Sequence, residues 1–336
     1  MLASRSRAPA LLALAALTLS LWSGPADARR KKQAEAPPAA AEPASAPASA
    51  PAEPMPAALG GLSLSARTEL LDAGAEPRQP LRVHPAKGAT QEVELVMDMN
   101  MNMDQGGVAQ AMDLPPLVMA MRVNVLGVDA DGTMDVETAL LGSRVEGSGT
   151  APAEMSAAMT QTFAAMEGMV MRARIDGTGH ALETQISGMS DPALQAALDS
   201  FQQNMRQGQV MLPVEAVGIG ARWRTITSIN SSGLPMNAIT TYSLRAVDGD
   251  HITLGTTIEM SVDKDALLAT MPGTNVRFTR FESAGDGTVE WDLAQLMPLT
   301  QLRYTMDMVM EAQTGEQPMI MGMSMDMDMT MREVRK

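Results

Sequence analysis

Residues 319–331 read MIMGMSMDMDMTM, with methionine at every odd position from Met319 to Met331. Side chains of an extended chain alternate between two faces, so a period of two places all seven thioethers on one side of a β-strand. Ser324, Asp326 and Asp328 then take the wet side. The stretch before it, LRYTMDMVMEAQ, carries Met306, Met308 and Met310 at the same period, and Thr314-Gly315 separates the two runs. A tight hairpin about that turn pairs 310 with 319, 308 with 321 and 306 with 323, which keeps the methionines of both strands on one face.

The same alternation recurs far upstream. In QEVELVMDMNMNMD, Val93, Leu95, Met97, Met99, Met101 and Met103 share one parity, and Glu92, Glu94, Asp98, Asn100, Asn102 and Asp104 hold the other. LVMAMRVNVLG follows with Leu117, Met119, Met121, Val123 and Val125 on one side, then a turn at Asp129-Ala130-Asp131-Gly132 and a strand with Met134, Val136, Thr138 and Leu140. If 127 opposes 134, then 125 meets 136 and 121 meets 140, so turn and pattern agree on register.

Two stretches have helical spacing instead. PAEMSAAMTQTFAAMEG presents Met155, Met159, Phe163 and Met166; DPALQAALDSFQQNMRQG presents Leu194, Leu198, Phe201 and Met205, with Ser190 or Asp191 as cap, Pro192 in the first turn and Gly208 as stop. A hairpin lies between them, MVMRARI and ALETQI, about Asp176-Gly177-Thr178-Gly179. Further on come strands at about 223–230, 236–247 and 251–262, with a turn at Asp248-Gly249-Asp250. A helix-like DKDALLAT and a hairpin VRFTRFES/TVEWDL, turning at Gly285-Asp286-Gly287, complete the order. VNVLGVDADGTMDVETAL and YSLRAVDGDHITLGTTIE share strand, acidic-glycine turn and strand, which suggests a worn internal duplication.

The chain opens with Arg5 and Arg7, an apolar run from Leu11 to Trp22, Gly24-Pro25 and the small-residue site Ala26-Asp27-Ala28. This is the plan of a signal peptide over residues 1–28, and its apolar run is too short to span a bilayer. Export, to the periplasm or beyond, is the expectation, with no transmembrane span in the mature chain. Residues 29–58 are basic and then rich in Ala, Pro and Ser, a composition that buries too little to order itself, so a disordered linker is expected. A β-rich domain over 59–336 remains, its halves at about 62–208 and 209–336. The chain as a whole is 45% hydrophobic, which permits a core without the disulfides that the absence of cysteine rules out.

The net charge of −14 becomes −15 once Arg5, Arg7 and Asp27 leave with residues 1–28, and such an acidic chain is repelled by nucleic-acid backbones. Catalytic signatures are missing: there is no Gly-x-Ser-x-Gly elbow, His-Glu-x-x-His, phosphate-binding glycine loop or cysteine nucleophile. A calcium loop beginning at Asp129 would need Gly at its sixth position and Glu at its twelfth, where Met134 and Leu140 stand. No enzyme activity and no cofactor are expected.

The methionines remain. Sheets usually fill inward positions with Val and Ile, whereas unbranched, polarizable methionine suits surfaces that accept varied shapes. An apolar molecule such as a lipid is the leading ligand, with Met97, Met99, Met101, Met103, Met306, Met308, Met310, Met321, Met323, Met325 and Met327 as its contacts. The alternatives are a plain core in an interaction module without small ligand, and Cu(I) held by thioethers. His84, His180 and His251 lie outside the methionine clusters.

LPVEAVGIGARW resembles an uncharacterised family of exported bacterial β-rich proteins in which a Pro, a Val, a Gly and a Trp are similarly spaced, here Pro213, Val217, Gly220 and Trp223. GDGTVEWD leading into LRYTMDMVM is a second match, although the family's Gly four residues past the Asp is Leu296 here. The likeness runs over most of residues 80–335 and implies fold and export only, since no activity is established for that family. The plan is also similar to half-barrel lipoprotein carriers of the cell envelope. The expected fold is mainly β: a large curved antiparallel sheet or half-barrel with two amphipathic helices packed on its concave face.

Overall fold

The computed structural model describes residues 66–334 except 106, 148, 151–152, 165–166, 188–209, 232–233, 263–267, 272–273 and 314–317. In chain order the elements are β1 (Ala66–Asp72), β2 (Gln79–Pro80), β3 (Thr90–Gln105), β4 (Val108–Val128), β5 (Met134–Val145), α1 (Ala153–Ala164), β6 (Val170–Ile175) and β7 (Ala181–Ser187). Then follow β8 (Ala216–Val217), β9 (Arg222–Ser231), β10 (Leu234–Asp248), β11 (His251–Val262), β12 (Leu268–Met271), β13 (Thr274–Asp292), β14 (Leu299–Gln313) and β15 (Pro318–Glu333). One sheet runs β1-β9-β10-β11-β13-β14-β15-β3-β4-β5-β6-β7, with β12 on β13, and its neighbours are antiparallel throughout. β1 and β7 do not pair, so the sheet is not closed. The mainly antiparallel β reading therefore holds.

The sheet bends strongly. β13 and β6 are six steps apart along it, about 29 Å if flat at the usual strand spacing. Yet a Cβ on Gly179, in the turn after β6, would lie 3.6 Å from Trp291 Cη2 on β13. Crossing segments close this end. Val83 N donates to Gly177 O at 2.8 Å, His84 N to Leu293 O at 2.8 Å and Leu212 N to Thr178 O at 2.9 Å. Leu81, Val83, Leu212, Val217 and Ala221 thereby join Trp223, Tyr242, Leu254 and Trp291 in one buried cluster.

Several expectations are corrected. Met310 pairs with Met321, Met308 with Met323 and Met306 with Met325, two residues beyond the register expected from a turn at Thr314-Gly315. An even shift leaves every thioether on its face, and it moves Pro318 to the first position of β15, where a missing N–H is tolerated. β13 runs unbroken through Gly285-Asp286-Gly287, so no hairpin turns there. These glycines serve close approach instead: a Cβ on Gly285 would lie 3.0 Å from Tyr304 Cδ2, and one on Gly287 2.6 Å from Leu302 Cδ2. Of the helix-like 263–270 piece, 263–267 lie outside the described residues and Leu268–Met271 is strand β12.

β4 also starts earlier than its apolar run suggests. Met97 faces Leu117 while Met99 faces Leu114, so Pro115 and Pro116 are absorbed in a bulge. On the turn side, Val125 meets Val136 and Met121 meets Leu140 as expected, whereas Gly127 faces Asp135 across a second bulge. β10 bulges at the matching place, between Leu244 and Ala246. Of the two expected helices, α1 is present and its Phe163 is half-buried against the cluster of Leu95, Leu117, Met119 and Leu140. The stretch 191–208 lies outside the described residues, so the described part does not carry a two-helix cover. No helix among the described residues is long and apolar enough to cross a membrane.

Candidate functional site

Cross-strand pairing turns the single-strand alternation into a two-dimensional array. β15 lies between β14 and β3 without a bulge on either side. Met306, Met325, Met101 and Met112 stand opposite one another across β14, β15, β3 and β4, and the next row holds Met308, Met323 and Met103. Met327 meets Met99, and Met329 meets Met97. Directly opposed side chains have Cβ atoms about 5 Å apart, so each thioether touches its neighbours on the next strand.

Burial is graded across the array. Met101, Met112, Met306, Met308, Met310 and Met325 are buried, while Met99, Met103, Met321, Met323 and Met327 are half-buried around them. Of the eleven methionines singled out in the sequence, ten fall in this cluster, and Met97 belongs to the adjoining one. Ser324 is half-buried on the other face, and Asp326 and Asp328 are exposed there. Sequence reasoning missed Met112, Met236 and Met260. For Met112 the parity signal was present but hidden, because two prolines shift it by one.

Between the methionines and the plugged end lies a seam of hydroxyls on the same face. Thr225 stands opposite Thr68 and Thr240, and Thr256 opposite Tyr242 and Gly287. Tyr304 donates its hydroxyl to Met260 Sδ at 2.9 Å, and burial pushes its phenol up from the ordinary value. Burial alone also raises the Tyr242 phenol, whose ring stacks on Trp223 at a centroid distance of 5.7 Å. From β1 to β5 the paired positions of this face carry no charged residue except Glu333 near the end of β15.

Charge is kept to the opposite face. Glu94 accepts from Arg332 Nη2 at 2.9 Å and from Arg144 Nη1 at 3.0 Å, so one carboxylate clamps β3 to β15 and reaches across to β5. Its hydrogen bond from Arg332, and then that from Arg144, hold it below the ordinary value of 4.5. A depressed carboxylate stabilises the fold above its unfolded value and loses that contribution as pH falls through the folded one. Glu94→Gln should therefore cost about 1 kcal/mol at neutral pH, discounted for the half-exposed arginines. The deficit should shrink as pH falls below 4.5 and vanish only once pH lies below the depressed folded value; thermal melts at neutral pH and through the acid range check this.

No group of three or more His, Asp or Glu side chains among the described residues is placed to hold a metal. His84 Nε2 lies 3.2 Å from Asp250 Oδ1 at the turn end, and neither His180 nor His251 belongs to the methionine cluster.

Residues 194–298 match the model of a family of unknown function (DUF6263). The match includes Pro213, Val217, Gly220 and Trp223, of which Val217 and Trp223 are fully buried in the plug. No curated protein matches the chain.

Proposed function

We propose that this is an exported, non-catalytic binding protein of the cell envelope that shelters an apolar molecule such as a lipid against its methionine face. The observation that carries the reading is the opposed methionine array with a half-buried rim on a face that is almost free of charge. Adaptable thioethers suit a ligand of variable shape better than the branched residues that sheets usually bury. In this reading the bent sheet is a half-barrel of the envelope-carrier kind, and helices, α1 among them, complete the cover of its concave side. The matching bulges of β4 and β10 support an origin by internal duplication.

Native mass spectrometry of gently purified protein, followed by titration of the delipidated protein with the apolar dye N-phenyl-1-naphthylamine, tests the proposal. A co-purified apolar adduct and saturable dye binding are expected. Replacing Met321, Met323 and Met327 together by Leu should leave each site within about 1.5 kcal/mol of its native stability, while dye affinity falls severalfold. A clean apo mass with no dye binding would leave an interaction module without small ligand. Retention of Cu(I) against a strong chelator would favour thioether metal capture instead.

A further inference from the structure

Two hydroxyls of the seam stand out. Thr225 and Thr256 are each 4% exposed, and neither Oγ1 has a hydrogen-bond partner. Both sit on the sheltered face, Thr225 two residues from Trp223 and Thr256 two residues from Leu254. They flank Thr240 and Tyr242 on β10, so four hydroxyl side chains occupy three adjacent strands. An unpaired buried hydroxyl is unfavourable, and Val would fit either place on a strand at least as well. A polar group kept in such a position suits a ligand that brings its own hydrogen-bonding atom.

Resting on the binding role proposed above, we infer that the ligand is an uncharged amphiphile. Its head group spans β10, a carbonyl meeting one of Thr225 and Thr256 and a hydroxyl the other, and its hydrocarbon body lies along the methionine array. The scarcity of charge on this face sets the class. A carboxylate or phosphate would be taken out of water with no cation to face it, which is strongly unfavourable. A neutral ester, ketone or alcohol needs only hydroxyl partners.

The test is dye displacement from the full chain by three probes of equal chain length: 1-oleoylglycerol, oleic acid at pH 8 and 1-octadecene. The wild type should bind 1-oleoylglycerol about tenfold more tightly than either competitor. In T225V/T256V that preference should fall to within twofold, with 1-octadecene binding unchanged and the thermal midpoint unchanged or raised. T225S/T256S should restore the preference. Equal binding of all three probes by the wild type, or a preference that survives in T225V/T256V, overturns the inference while leaving the binding role intact. Failure of every probe to displace the dye refutes the binding role itself. A lowered midpoint in T225V/T256V would show that the hydroxyls are structural, and that too overturns the inference.

Discussion

Trp223→Ala is expected to remove about 3–5 kcal/mol of stability, a large part of the total for a domain that is ordinarily stable by about 5–15 kcal/mol. The side chain is fully buried. Its Nε1 donates to Met211 O at 2.8 Å, and its ring stacks on Tyr242. Truncation opens a cavity where β9, β10 and the crossing segments meet, and it orphans a buried carbonyl. Trp223→Phe keeps a six-membered aromatic ring but forfeits the hydrogen bond and the volume of the pyrrole ring, so it should cost about 1–3 kcal/mol, less than the full truncation. Urea unfolding followed by far-ultraviolet circular dichroism gives both values. A Trp223→Ala midpoint equal to that of the wild type would mean that the plug is no part of the cooperative core.

That plug is also where the sequence was least informative. Period two identified β3, the later part of β4, β5, β14 and β15, because a strand with one sheltered face writes its geometry directly into its residue order. It could not reveal that Leu81, Val83 and Leu212 cross the end of the sheet, since irregular chain has no period to read. Glycine misled in a specific way. At Asp248-Gly249-Asp250 an acidic-glycine run does turn the chain, whereas at Gly285-Asp286-Gly287 the same composition makes room for Tyr304 and Leu302 within a strand. The difference lies in the partner strand, which local sequence does not contain. Proline misled similarly at Pro115-Pro116, and with it Met112 was lost from the candidate face. The seam of hydroxyls had no signal either, because threonine is common on both sides of strands. What the sequence did carry for the site was parity, and parity proved independent of register: the β14–β15 pairing shifted by two residues and no methionine changed face.

This independence gives the second large prediction. Inserting one serine after Met323 should abolish cooperative folding, whereas inserting Ser-Met at the same place should leave a folded, weakened protein. One extra residue reverses the faces of everything downstream. Met325, Met327, Met329 and Met331 would turn to solvent, and Asp326 and Asp328 would be driven against the array. Buried Met325 contributes about 1.5–3 kcal/mol and half-buried Met327, Met329 and Met331 somewhat less each, so together with the cost of burying two carboxylates the loss is comparable with ordinary domain stability. Two extra residues restore parity and forfeit only the matched register, including the Arg332–Glu94 clamp. Elsewhere the sheet absorbs extra residues in bulges, as β4 does at its prolines, but β15 is paired without irregularity on both flanks and has strands to accommodate on each side. Urea transitions distinguish the variants, and peroxide footprinting reports which thioethers have become reactive. A single insertion that unfolds at the wild-type midpoint, with residues 325–331 still protected, would show that a bulge can absorb it and that the methionine face is not what holds β15 in place.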